Sequence, residues 1–199
     1  MVVPSLSRFE LDKRTLRTEL RAKRRAHVES LPEAIRGLVF RRPPGPALDL
    51  LPEEATIGLY HAGAMEAPTT GYAGWLFENE RRLALPWFAG RDAEMAFRRW
   101  DNPFIDELLQ PGPYGARQPG EDAAEVVPDV LIVPLIGFTA TGARLGQGGG
   151  HYDRWLAAHP DVPAIGLAWD CQEVVALPID PHDRMLTAII TPTRLLGPF

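Results

Sequence analysis

Hydrophobic positions along this chain change their period several times, and each change predicts an element. From Ser5 to Leu31 there is no glycine or proline, and Leu, Arg, Lys, Glu and Ala dominate, so residues 8–30 read as a helix. Phe9, Leu16, Leu20, His27 and Leu31 follow at steps of seven, four, seven and four, the track of one helix face. Lys13 lies on that track, with Arg17 and Arg24 four and eleven positions further on. A cation on an apolar stripe either points toward the body of the protein or snorkels to water over a packed stem. Residues 41–53 are proline-rich and predict a surface connection.

Five short apolar runs follow, at 56–60, 83–87, 130–136, 164–169 and 187–191, with helical patterns at 69–80 and 151–158. Residues 90–128, rich in proline and glycine, predict loops with one short strand around 95–97. Near-continuous apolar strands separated by helices predict an α/β fold. The sheet should be open, mostly parallel and Rossmann-like, with helices on both faces and the basic N-terminal helix packed against the body. One domain spanning residues 1–199 is expected. In such sheets ligands bind beyond the carboxyl ends of the strands, where the loops after Tyr60 and Ile136 and the residue Asp170 emerge.

Composition narrows the functional classes. The longest apolar stretch, 130–138, is broken by Pro134 and far too short to span a membrane. No export signal opens the chain, and the single cysteine, Cys171, fits a reducing compartment, so a cytoplasmic protein without a membrane partner is expected. The net charge of −5 conceals an asymmetry: residues 1–42 carry eleven Lys and Arg against five Asp and Glu, residues 43–199 ten against twenty-one. No aromatics interleave the basic segment and the acidic remainder repels a phosphate backbone, so no nucleic-acid partner is expected. A basic element that meets a polyphosphate fits better.

The chemistry concentrates in Gly142-Ala-Arg-Leu-Gly-Gln-Gly-Gly-Gly-His-Tyr-Asp-Arg154, between an apolar run and a helix start. A glycine-rich turn that feeds a helix N-terminus presents free N–H groups to an anion. Arg144 adds a forked cation suited to phosphate, and Asp153 a hard oxygen for a magnesium ion carried by that phosphate. The spacing is not that of a P-loop. A dinucleotide reading with Asp170 as the distal acid stays open.

With these residues laid out, the chain resembles the 5-formyltetrahydrofolate cyclo-ligase (methenyltetrahydrofolate synthetase) family along nearly its whole length. The resemblance rests on Val133-Pro-Leu-Ile-Gly-Phe138, Gly142 and Arg144 to Arg154. It extends to Ile165-Gly-Leu-Ala-Trp169, Gln172, Leu177-Pro178, His182-Asp183, Leu85-Pro86 with Met95 and Phe97, and the basic Lys13-Arg-Thr-Leu-Arg17 with Arg24. It implies ATP- and Mg2+-dependent conversion of 5-formyltetrahydrofolate to 5,10-methenyltetrahydrofolate, with release of ADP and phosphate.

By the same resemblance, Lys13, Arg14, Thr15, Leu16, Arg17 and Arg144, Leu145, Gly146, Gln147, Gly148, Gly149, Gly150, His151 and Tyr152 contact ATP, with Arg144 and Lys13 catalytic. Tyr60, Glu66 and Gln147 to His151 face the folate, with or without a polyglutamate tail, and Asp153 and Asp183 hold magnesium. Trp75, Trp87, Trp100 and Trp169 are candidates to stack a pterin, although core packing accounts for each. A monomer is expected, with a dimer left open. The sequence departs from the family pattern at Thr139, His151 and Thr187. A catalytically silent relative that binds nucleotide or folate is therefore the alternative.

Overall fold

The computed structural model describes residues 13–180 and 183–199; the expected helix start with Phe9, and the motif residue His182, lie outside the described residues. The chain runs α1 (Lys13–Ser30), α2 (Glu33–Leu38), β1 (Thr56–Gly58), α3 (Thr70–Glu78), β2 (Arg82–Trp87), β3 (Ala96–Arg99), β4 (Leu109–Pro111), β5 (Arg117–Pro119) and β6 (Val130–Pro134). It continues through β7 (Gly137–Phe138), β8 (Arg144–Leu145), α4 (His151–Ala158), β9 (Ala164–Leu167), β10 (Ala188–Ile190) and β11 (Leu195–Leu196). Seven strands form one sheet in the order β11-β10-β9-β6-β1-β2-β3. The five central strands are parallel, and β3 and β11 close the edges antiparallel.

Alternation along the strands divides the core into two layers. Val130 and Ile132 of β6, Ile165 and Leu167 of β9, and Leu83 and Leu85 of β2 face the side covered by Tyr72, Ala73 and Leu76 of α3. Leu131 and Val133, Ala164 and Ala84 face the other side, under Trp155 and Leu156 of α4. Both faces are thus covered, which is why the strands read as unbroken apolar runs.

The winding reverses in the middle of the sheet. From β1 the chain crosses through α3 to β2, while from β6 it crosses through α4 to β9 on the opposite side. The carboxyl ends of β1 and β6 therefore diverge into loops that leave a crevice between them. β6 stops at Pro134, two residues short of the expected run, because proline has no N–H to extend the ladder.

Helix α1 is not part of this winding. Leu16, Leu20, Arg24 and Val28, four residues apart, are its buried stripe. Leu16 and Leu20 pack on Ile136 and Leu145, just beyond the crevice, and Val28 joins the layer containing Phe40 and Trp169. Burial of each such leucine contributes roughly 1.5–3 kcal/mol, enough to fix the helix along the carboxyl edge of the sheet. Helix α2, the β4–β5 and β7–β8 ladders and β11 are additions to the sequence reading; at two to six residues each they carry no period to read.

Candidate active site

Where the winding reverses, the structure has a cleft of about 960 Å³, lined by α1, the loops after β1 and β6, and residues 144–154. The glycine loop forms one wall. Gly148 has φ +110° and Gly150, at the start of α4, φ +67°, conformations that L side chains rarely adopt. No side chain caps α4, which leaves its first amides to an anion.

The cations of α1 meet this wall one turn at a time. Arg17 Nε donates to the carbonyl of Gly146 at 2.9 Å. Arg21 Nη2 donates to the carbonyl of Gln147 at 2.9 Å and to its side-chain oxygen at 3.2 Å. Gln147 Nε2 in turn donates to Glu66 Oε1 at 2.7 Å, and Glu66 Oε2 accepts from the Gly63 amide at 2.8 Å. A continuous polar bridge thus joins α1, the glycine loop and the loop after β1.

Lys13 points into the site, not out to water. Its Nζ lies 2.6 Å from Asp180 Oδ2 and 2.5 Å from Asp183 Oδ2. Burial alone pushes its pKa down, but the two carboxylates outweigh that and hold it above the ordinary value. Asp183 Oδ2 also accepts from the Asp180 amide at 2.8 Å, so the carboxylate organises its own turn.

The Arg144 side chain is buried, 3% exposed. It forms an ion pair with Asp153 through Nη2 and donates from Nη1 to the carbonyl of Arg184 at 2.5 Å. Burial pushes its pKa down, while Asp153 and then Asp183 push it back. The β7–β8 hairpin places Arg144 and the first turn of α4 places Asp153, so the pair ties two elements together at the cleft.

Tyr60 is buried; its hydroxyl donates to the carbonyl of Ala67 at 2.6 Å, and Thr69 Oγ1 donates back to the Tyr60 carbonyl at 2.6 Å. Burial, and next the charge of Glu66, raise its phenol well above the ordinary value, as they do for Tyr152. Both hydroxyls therefore stay neutral. His151 Nδ1 accepts from Arg154 Nη2 at 3.1 Å, and the ring stands 5.0 Å from Phe88 and 5.2 Å from Tyr114. Burial, then Arg154, lowers its pKa.

The structure brings together Lys13, Arg17, Tyr60, Glu66, Arg144 to Asp153 and Asp183 around one cleft. Arg14, Thr15 and Leu16 do not line it: Arg14 and Thr15 are exposed and Leu16 is in the core, as helix periodicity requires when Lys13 and Arg17 face inward. None of Trp75, Trp87, Trp100 and Trp169 lines the cleft, and Trp169 is enclosed with His27 and Phe40. Asp170 accepts from the hydroxyls of Thr191 and Thr193 at 2.6 Å each, outside the cleft, so it braces a turn and does not act as the distal acid of a dinucleotide site.

Of the three substituted positions Thr139, His151 and Thr187, only His151 lines the cleft. Thr139 closes the β7–β8 hairpin, its hydroxyl accepting from the Ala143 amide at 3.2 Å. Thr187 completes the ladder beside β9, its amide donating to Ala164 at 2.8 Å. Among the residues without a role in the sequence reading, Arg24, His61 and Asp180 line the cleft, and Arg21 meets the glycine loop at Gln147. Arg21 and Arg24 stand four and seven positions beyond Arg17, a helical spacing that marks them; nothing marks His61.

Among the described residues, no three or more His, Cys, Asp or Glu side chains cluster as an all-protein metal site. Asp153 pairs with Arg144, Asp183 pairs with Lys13, and both carboxylates line the cleft. A magnesium ion ordinarily takes only one or two carboxylates together with substrate phosphates, so the chemistry of these donors fits that ion.

Comparison with known proteins places the chain in a family. A model of the 5-formyltetrahydrofolate cyclo-ligase family matches residues 10–192. A 5-formyltetrahydrofolate cyclo-ligase of Mycolicibacterium smegmatis is 29% identical, over 92% of this chain and 94% of that relative. The one from Escherichia coli K12 is 43% identical over 84 residues, 39% of this chain; the match spans 46% of that relative, about half its length. The solved structure of Aquifex aeolicus 5,10-methenyltetrahydrofolate synthetase superposes with a TM-score of 0.72 at 27% identity, covering 94% of this chain and 92% of that one.

Proposed function

The chain belongs to the 5-formyltetrahydrofolate cyclo-ligase family, and from that premise we propose that it closes 5-formyltetrahydrofolate to 5,10-methenyltetrahydrofolate with cleavage of ATP to ADP and phosphate. A formamide carbonyl is a poor electrophile and its oxygen a poor leaving group. The γ-phosphoryl group therefore passes to the formyl oxygen; N10 of the same folate then attacks that carbon and gives up its proton to the departing phosphate, the C–O bond breaks and phosphate leaves. The protein contributes positioning and charge, as phosphoryl transfer generally requires.

Lys13, Arg17 and Arg144 supply that charge, and Leu145 to Tyr152 wrap the phosphates, with Arg14, Thr15 and Leu16 on the turn between the first two cations. Magnesium, held by Asp153 and Asp183, would offset charge on the phosphates. Tyr60, Glu66 and the glycine loop face the folate. The observation that carries the reading is the glycine loop opening an uncapped helix opposite the cations of α1, at the reversal of the sheet. That Thr139 and Thr187 lie outside the cleft supports an active enzyme over a silent relative. The same reading takes residues 1–199 as one domain, acting in the cytoplasm as a monomer without nucleic-acid or membrane partners; among the described residues no helix is long and apolar enough to cross a membrane.

The test mixes purified protein, 5-formyltetrahydrofolate, ATP and magnesium and follows the methenyl chromophore. ATP-dependent growth of that signal is expected; its absence at high enzyme concentration refutes the activity.

A further inference from the structure

Arg24 is the one arginine on the buried stripe of α1, 7% exposed, yet it lines the cleft. Of the five N–H donors of its guanidinium, one reaches the carbonyl of Leu135, at a long 3.4 Å, and the buried Nε has no partner. Glu66, the carboxylate that acts most on it, already has both oxygens engaged by Gln147 and Gly63. A buried polar group left without partners is costly, so this guanidinium is poised for an acceptor that arrives with a ligand.

The nucleotide phosphates are not that acceptor. Arg24 stands eleven residues beyond Lys13 on an unbroken helix, about 16 Å along its axis, and lines the cleft together with Tyr60 and Glu66. A flexible carboxylate tail is equally unsuited, because it must reach solvent and Arg24 does not. What remains is the flat, enclosed part of the second ligand.

We propose that Arg24 recognises the ring of the second ligand by donating to a carbonyl oxygen on a flat heteroaromatic system, the 4-oxo group of a pteridine. The assignment rests on the folate reading above. Arginine can only donate, so it accepts a ring that carries an oxygen there and rejects one that carries an amino group.

The experiment compares 2-amino-4-oxo and 2,4-diamino forms of the same pteridine ligand, measuring dissociation constants for the wild-type protein, Arg24→Met and Arg24→Lys. The wild type should prefer the 4-oxo form by tenfold or more. In Arg24→Met that ratio should fall to near one, while ATP affinity and the circular dichroism spectrum stay unchanged, and Arg24→Lys should retain part of it. A wild type that binds both forms equally overturns the proposal without recourse to any variant, as does an Arg24→Met protein with an undiminished ratio. If the wild type forms the methenyl product but shows no 4-oxo preference, the recognition role alone falls; if it neither forms product nor binds either pteridine, both readings fall.

Discussion

Lys13 and Asp183, 170 residues apart in the chain, meet at 2.5 Å in the cleft. The cation assigned to phosphate and a carboxylate assigned to magnesium thus neutralise each other, and each presents the charge that the other's ligand would otherwise supply. On the proposed reading, a magnesium nucleotide would replace the contacts of Lys13 with Asp180 and Asp183 by contacts of the lysine to phosphate and of Asp183 to the metal.

Removing this lysine should act on the nucleotide more than on the fold. Lys13→Ala is expected to raise the apparent KM for ATP roughly tenfold or more, the ordinary worth of a charge-assisted hydrogen bond. The pair is only partly enclosed, so thermal stability should change little. ATP titrations at saturating folate check this, and an unchanged KM refutes the phosphate contact. Because the folded pKa is raised, whatever stability the pair contributes is complete below about 10.5 and lost only as pH rises past that value. The difference between wild type and variant should therefore be flat from pH 6 to 9.

Asp153→Asn should damage both stability and metal response. It leaves the buried Arg144 guanidinium without its charged partner, a loss of roughly 3 kcal/mol for a pair of this kind. Denaturant melts should show that loss, and turnover should cease to respond to magnesium. A normal magnesium response would remove Asp153 from the metal site.

Two glycines of the same loop should behave oppositely. Gly148 has φ +110° and Arg17 at 3.6 Å from where a Cβ would sit; Gly146 has ordinary φ and open space. Gly148→Ala should lose roughly 1–2 kcal/mol of stability through backbone strain, together with most nucleotide affinity, whereas Gly146→Ala should retain both. Equal effects would mean that the loop conformation is not what binds.

Gln172 is buried, with its side chain donating to the carbonyls of Leu135 and Ile136 at 2.7 and 3.1 Å and accepting from the Trp169 amide at 2.8 Å. Gln172→Leu removes all three bonds, leaving the Leu135 carbonyl only its long contact with Arg24, and should cost roughly 3 kcal/mol. Chemical denaturation measures it; a loss below about 1 kcal/mol would mean that neighbouring groups take over those bonds.

His61 lines the cleft with its pKa lowered, by burial first and then by Arg117, against the opposing pull of Asp106 and Glu66. The unfolded chain therefore takes up the proton more readily, and stability falls as pH drops through the ordinary histidine value of about 6.5. His61→Gln should flatten that acid limb in pH-dependent melts, and an unaltered slope would contradict the shift.

The sheet is legible in the sequence because β6, β9 and β10 are buried on both faces and read as plain apolar runs; the glycine loop is legible because its composition has few other uses. Lys13 is legible only as an ambiguity, since its place on an apolar track fits a snorkelling side chain equally well, and only tertiary structure brings Asp180 and Asp183 to it. Arg24 is hidden by its own position: an arginine four residues beyond Leu20 and eight beyond Leu16 gives no hint whether its head reaches water or a cleft. The bridge from Arg21 through Gln147 to Glu66 is not legible at all, because it joins three segments by geometry alone.

Helix α1 carries no glycine or proline between Lys13 and Ser30 and so behaves as a stiff rod. Any tilt that draws its first residue away from Asp180 and Asp183 must also shift Arg17, Arg21 and Arg24 in concert. If a nucleotide at its first residue and a folate at Arg24 both load this rod, any effect of one guest on the grip of the other is returned by the same factor.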